Sequence, residues 1–283
     1  MDDATMPLTA LRLAVPRASR FGFLDFFINI SEECAILRLA MEDKVFELDG
    51  VSRTFGALKA VDNLTLSLGK GEVTGFLGTN GAGKTTTIKM LIGLIRPTSG
   101  TVRLFGGDPT VAASRTRIGY MPEMAYYYPY LTVRELLSFY GGVCGMDKRT
   151  IKTRTDELLE EVELVEAAKR PLKTYSKGML QRAGIAQALL NDPDLLILDE
   201  PFTGLDPLAR IHFRALLKKL RDQGKSIFFS SHELGETELL CDNVAIMKKG
   251  QCIYHGPVDR LAGDGGGNLE RLFLEVLEKG GVA

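Results

Sequence analysis

Residues 73–86 constrain the fold more than any other stretch of the chain. The apolar run Val73–Leu77 passes directly into Gly78-Thr79-Asn80-Gly81-Ala82-Gly83-Lys84-Thr85-Thr86. The run reads as a buried strand, the glycines as a loop, and Lys84 as the start of a helix. Strand, glycine loop and helix in that order make a cradle for an anion. The loop turns successive backbone N–H groups inward, and the helix adds its positive N-terminal end. The spacing fits G-x-x-x-x-G-K-[ST], which places Lys84 as a point charge for the β- and γ-phosphates and Thr85 as a hydroxyl for Mg2+. Alone, the loop says only that nucleotide phosphates bind, since kinases, GTPases and ATPases share it.

A second segment narrows the chemistry. Leu195-Leu196-Ile197-Leu198 is all aliphatic and ends in Asp199-Glu200-Pro201. Four aliphatics in a row mark a central parallel strand covered on both faces. Ligands of such sheets bind beyond the carboxyl ends of the strands. Asp199 is therefore expected beside the phosphate loop, holding Mg2+ through water. Glu200 is expected to activate water for in-line attack on the γ-phosphate.

The rest of the chain alternates strands and helices. Strands are expected near 45–50, 61–68, 101–105, 117–121 and 226–230, and a final hairpin at 244–248 and 251–254 turns at Lys249-Gly250. The helix from Lys84 is expected to end before Arg96-Pro97, and others run near 208–222 and 234–241. A mainly helical stretch from Thr132 to about Leu190 forms a subdomain outside the sheet. The expected fold is α/β, with helices on both faces of a mainly parallel sheet. Residues 1–43 lack a sustained period, and Met41 reads as the biological start, which makes 1–40 a mis-assigned extension. A disordered tail and a partner-binding arm are the other readings. Residues 263–283 read as a Gly-rich linker, 263–267, and a short amphipathic helix.

A family resemblance enters at Tyr175-Ser176-Lys177-Gly178-Met179-Leu180-Gln181-Arg182. This segment resembles the signature loop of ABC ATPases and precedes the Asp199-Glu200 strand, as it does in that family. Thr203-Gly204-Leu205-Asp206-Pro207 resembles the D-loop, and Ser230-Ser231-His232-Glu233 the switch segment with its histidine. Ile118-Gly119-Tyr120-Met121-Pro122-Glu123 resembles the Q-loop. Phe55 resembles the aromatic that stacks on adenine; a buried strand aromatic is the other reading. The resemblance covers roughly residues 44–262, with the helical part at about 124–190.

The resemblance implies a P-loop NTPase core, an N-terminal antiparallel β subdomain and a helical signature subdomain. It implies Mg2+-dependent ATP hydrolysis, with Lys84, Glu200 and His232 in catalysis. Thr85, Glu123 and Asp199 then serve the metal, and Phe55 with Gly78, Thr79, Asn80, Gly81, Ala82, Gly83, Lys84, Thr85 and Thr86 holds the nucleotide. Ser176, Lys177, Gly178 and Met179 would face the γ-phosphate of a partner subunit, with Asp206 beside them, in a homodimer or heterodimer. An integral membrane permease would be the further partner, with the chain peripheral to the cytoplasmic face of the membrane. The signature departs from the common pattern at Tyr175, Lys177 and Met179, and Glu123 stands where most members have glutamine. Those departures resemble the branch that serves drug, antibiotic, lipid or polysaccharide exporters.

Composition agrees and removes alternatives. Thirty-five Lys and Arg against 36 Asp and Glu give no basic excess for a nucleic-acid partner. Lys84 and Asp199 are too close in sequence to enclose the long coiled coils of DNA-acting ABC proteins, and a single phosphate loop argues against the tandem translation-associated type. The four cysteines form no C-x-x-C pair and read as reduced thiols. No run of 18 apolar residues offers a membrane span.

Overall fold

A computed structural model of the protein describes residues 44–124 and 127–258, with Leu269 and Phe273 beyond them. The expectations for residues 1–43 and for the linker 263–267 lie outside the described residues.

Two sheets organise the chain. Strands β1 (Lys44–Phe55), β2 (Leu58–Gly69) and β4 (Ser99–Leu104) form an antiparallel sheet in the order β2-β1-β4. Both β1 and β2 run beyond their expected ends, because pairing in a hairpin extends each strand to the turn. The second sheet contains β3 (Val73–Gly78), β5 (Ile118–Met121), β6 (Leu195–Asp199), β7 (Ser226–Ser231), β8 (Asn243–Lys248) and β9 (Gln251–Pro257). Its order is β5-β6-β7-β3-β8-β9. All neighbours are parallel except the β8–β9 hairpin.

The central strands are buried along their whole length. Their side chains divide between the two faces with period two. Leu196, Leu198, Ile227 and Phe229 join a core shared with the helical subdomain. Leu195, Ile197 and Phe228 join a second core with the antiparallel strands. Each such side chain contributes roughly 1.5–3 kcal/mol of burial, so this sheet is the rigid platform for whatever its carboxyl edge carries.

Helix α1 (Lys84–Leu91) ends well before Arg96. Gly93, at φ 72°, closes it. The Gly93 N–H donates to the Met90 carbonyl and the Leu94 N–H to the Lys89 carbonyl, the pairing by which a left-handed glycine stops a helix. A short α2 (Ala112–Arg115) precedes β5.

The helical subdomain holds α3 (Val133–Val143), α4 (Lys148–Glu161) and α5 (Lys177–Leu189). Thr132 and Glu135 form a reciprocal capping box at α3, and the Asp147 carboxylate caps α4 through the N–H groups of Arg149 and Thr150. Helices α6 (Pro207–Asp222) and α7 (Leu234–Leu240) lead into and out of β7. Leu269 and Phe273 are helical, and Leu269 is buried against Leu77, Val244 and Ile246. Burial pushes the Cys241 and Cys252 thiols up, which keeps them unreactive.

Candidate nucleotide-binding and catalytic site

The carboxyl ends of β3, β6 and β7 meet at one edge of the large sheet. A cavity of about 870 Å³ opens there, bounded by residues 79–86, residues 58–60, Lys249, Gly250, Glu123, Glu200, Thr203 and His232. The strand–loop–helix reading of residues 73–86 therefore places the loop at the wall of a real cavity. Gly83 is the residue that allows its shape. Its φ is 109°, and a Cβ there would sit 2.5 Å from the Ala60 carbonyl oxygen. No L-residue with a side chain fits such a position.

Lys84 is buried at the first position of α1. Its Nζ donates to the Gly78 carbonyl at 2.6 Å and lies 3.2 Å from Glu200 Oε1. Glu200 follows β6 in a left-handed conformation, φ 52°, which costs a non-glycine residue roughly 1–2 kcal/mol. Its side chain is buried, and the carboxylate meets His232 Nδ1 at 2.7 Å through Oε2. A lysine and a histidine from two separate segments thus converge on the carboxylate of Glu200, which a third segment supplies.

Asp199 does not line the cavity. It is buried, and its Oδ1 accepts a bond of 2.5 Å from the Ser230 hydroxyl. The same hydroxyl accepts from the Glu200 N–H at 2.9 Å. Ser230 therefore ties the two acids together, a role that the sequence reading did not give it. Asp199 and Ser230 are register partners across β6 and β7, and only the strand order reveals that. Beside them, burial and then the Asp199 charge push the Tyr120 phenol up to about 12, so it stays neutral.

Thr85 and Glu123 line the cavity and would face a Mg2+ ion there, which Asp199, off the wall, would reach only through water. Among the described residues no three acidic, histidine or cysteine side chains form a ready metal cage. A hydroxyl at Thr85 and carboxylates at Asp199 and Glu123 match an ion that keeps water and takes one or two carboxylates plus phosphate oxygens.

The signature residues stand elsewhere. Ser176 caps α5, accepting from the Met179 N–H at 3.2 Å. Lys177 lies against Gly204, and Gln181 Nε2 donates to the Thr203 carbonyl at 3.0 Å. Asp206 caps α6 through the Ala209 N–H at 2.9 Å. Ser176, Lys177, Gly178, Met179 and Asp206 are all outside the cavity wall. Phe55 also lies outside it. The residue is 45% exposed, which removes the buried-aromatic reading, and the Arg53 guanidinium lies 4.5 Å from the ring centroid.

Comparison with known proteins identifies this arrangement. Residues 61–203 match the ABC transporter family, a span that holds the phosphate loop, the signature and the Asp199-Glu200 strand. The chain belongs to the ABC transporter family. An ABC transporter ATP-binding protein of Synechocystis is 41% identical over 226 residues, which is 79% of this chain and 62% of that protein. A Nod factor export ATP-binding protein of Ralstonia nicotianae is 38% identical over 75% of this chain and 67% of its own length. A solved ATP-binding subunit of an ABC transporter superposes with a TM-score of 0.75 at 32% identity, covering 82% of this chain and 99% of that one. This ABC domain thus spans just under two thirds of its Synechocystis relative's length. Its fold is the mostly parallel sheet and antiparallel N-terminal sheet expected of a P-loop NTPase.

Proposed function

We propose that this ABC protein binds ATP with Mg2+, hydrolyses it, and powers export through a separate membrane permease. The observation that carries the reading is the convergence of Lys84 and His232 on the Glu200 carboxylate at the wall of the phosphate-loop cavity. The loop N–H groups and Lys84 bind the phosphates. Thr85 and Glu123 would hold Mg2+, with Asp199 reaching it through water, and the ion would neutralise phosphate charge. Glu200 takes the proton of the attacking water, and His232 Nδ1 holds Glu200 in place for it. Phe55 offers its free face to adenine.

Ser176, Lys177, Gly178 and Met179 stand off the cavity wall at a helix N-terminus, a second anion-binding end. That separation supports a dimer of ATPase subunits, in which each signature completes the partner's site. Glu123 lines the main cavity and also an apolar groove of about 250 Å³ formed with Met121, Pro122, Leu180 and Gly184. We read that groove as the permease dock and Glu123 as the link between hydrolysis and transport. Among the described residues no helix is long and apolar enough to cross a membrane, which agrees with attachment to the cytoplasmic face through the permease. The export direction rests on the Nod factor relative. Residues 44–262 form the ATPase domain in this reading, with 124–190 its helical subdomain and 1–43 and 263–283 flanking it.

The test is Mg2+-dependent ATP hydrolysis by the full chain with its permease in vesicles. Lys84→Ala should weaken ATP binding and stop transport. Full turnover in Lys84→Ala, or no membrane partner recovered with the wild type, would remove the reading.

A further inference from the structure

His232 has an unusual positioning problem. Its side chain is 50% exposed, yet it must keep Nδ1 on the nearly buried Glu200. It occupies the short turn between β7 and α7, where β-sheet pairing has ended and helix bonding has not begun. Something beside it must fix that turn.

The two residues flanking His232 supply the anchors. On one side, the Glu233 N–H donates to the Ser231 hydroxyl at 2.9 Å. On the other, Glu233 stands at the N-cap of α7 but makes no side-chain cap bond. Its carboxylate instead ion-pairs with Arg210 Nη1. The Glu233 carboxylate thus serves a neighbouring helix and not its own N-terminus.

Arg210 is also tied in the opposite direction. It lies in the first turn of α6, and its Nε donates to the Leu205 carbonyl at 3.0 Å. Leu205 belongs to the loop that carries Gly204 and Asp206. One planar guanidinium therefore joins that loop to the turn that holds His232. A fork of fixed geometry suits this task, since neither bond can move without the other. One turn further along α6, Arg214 pairs with Glu236 at 2.8 Å, a second tie between the same helices that does not reach the loop.

We propose that Arg210 is a positioning residue that couples the loop at residues 203–206 to His232. Displacement of the loop, such as contact with a second subunit would cause, is transmitted through Arg210 and Glu233 to the histidine on the general base. The proposal rests on the catalytic reading of Glu200 and His232 given above.

The experiment uses the full chain with its permease and reads kcat, KM for ATP and thermal stability. The variants are Arg210→Ala, Arg210→Lys, Glu233→Gln, Arg214→Ala and the reversed pair Arg210→Glu with Glu233→Arg. Contacting residues are energetically coupled, so Arg210→Ala should lower kcat by about tenfold or more, with KM unchanged within about twofold. Glu233→Gln should do the same, and the reversed pair should recover part of the loss. In a His232→Ala background, the Arg210 substitution should cost nothing further. Arg214→Ala should lower stability comparably while sparing kcat. Arg210→Lys and Glu233→Gln keep the test alive if Arg210→Ala does not fold. A kcat for Arg210→Ala and Glu233→Gln within twofold of wild type overturns the proposal when Glu200→Gln and His232→Ala each lower kcat by about tenfold or more but leave it measurable. So does an equal kcat loss in Arg214→Ala, which would make the effect merely structural. If Glu200→Gln and His232→Ala themselves keep turnover, the catalytic reading fails first and the proposal with it.

Discussion

Lys84 Nζ stands 3.2 Å from Glu200 Oε1, and each side chain is only 7% exposed. The cation assigned to phosphate is therefore paired with the carboxylate assigned to water. A phosphate that enters the loop must draw Lys84 away from Glu200. Glu200→Gln should then have two opposite effects. Turnover should fall by ~10²–10⁴-fold, the usual contribution of a positioned base. ATP affinity should rise, because Lys84 loses its competing anion. Equilibrium ATP binding and single-turnover hydrolysis measure the two separately. Turnover within twofold of wild type would refute the assignment of Glu200.

Gly83→Ala should weaken nucleotide binding while most of the sheet survives. The added Cβ would meet the Ala60 carbonyl at 2.5 Å, at a φ of 109°. Left-handed strain alone costs roughly 1–2 kcal/mol, and the clash is with backbone, which cannot rotate aside. Affinity for ATP should drop by about tenfold or more, a change of about 1.4 kcal/mol. Titration calorimetry of the variant beside Gly81→Ala, where the Cβ meets open space, separates the clash from the strain. Equal losses in both variants would show that the clash is irrelevant.

Ser230→Ala should uncouple the two acids. The hydroxyl donates to Asp199 and accepts from the Glu200 N–H. Removing it leaves a buried N–H unpaired, at a cost of ~1–3 kcal/mol. Denaturant melts should show that loss. Turnover should fall, and the Mg2+ concentration for half-maximal rate should rise, since Asp199 loses its orienting bond. An unchanged Mg2+ titration would argue that Asp199 does not hold the ion.

Acid should loosen the helical subdomain through its caps. The Thr150 hydroxyl, followed by the Thr150 and Arg149 N–H groups, holds the Asp147 carboxyl below its usual 3.8. A carboxylate lowered in the folded state contributes stability that is whole above that usual value. The contribution is lost as pH falls through the lower folded value. Asp147→Asn keeps a capping oxygen without the charge. The melting temperature of wild type should exceed that of the variant above about pH 5, with the gap closing below 3.8. A gap that stays constant down to about pH 2 would assign the difference to something other than this charge.

The residues proposed to bear chemistry were legible because their signals are local. Glycine spacing dictates a loop around an anion, four aliphatics dictate a covered strand, and Lys84 and Glu200 stand at fixed offsets from those elements. The early stop of α1 at Gly93 was legible in principle, since a glycine there offers the left-handed conformation that ends a helix. Arg96-Pro97 was the louder signal, and it set only an outer limit, about a turn beyond the actual end. The exposure of Phe55 was not legible, because a strand aromatic reads the same whether its neighbours cover it or not.

Relations between distant segments were decided by the tertiary structure. Strand order sets β6 beside β7, and that register brings Ser230 between Asp199 and Glu200. The same order delivers His232 to Glu200, and the packing of α6 against α7 delivers Arg210 to Glu233. No sequence period carries such pairings, because they arise only when the strands have chosen their neighbours and buried their common faces. The sequence by itself determined which side chains could bind phosphate, metal and water. The folded sheet decided which of them share a hydrogen bond, which form an ion pair, and which are held in place by residues that carry no motif.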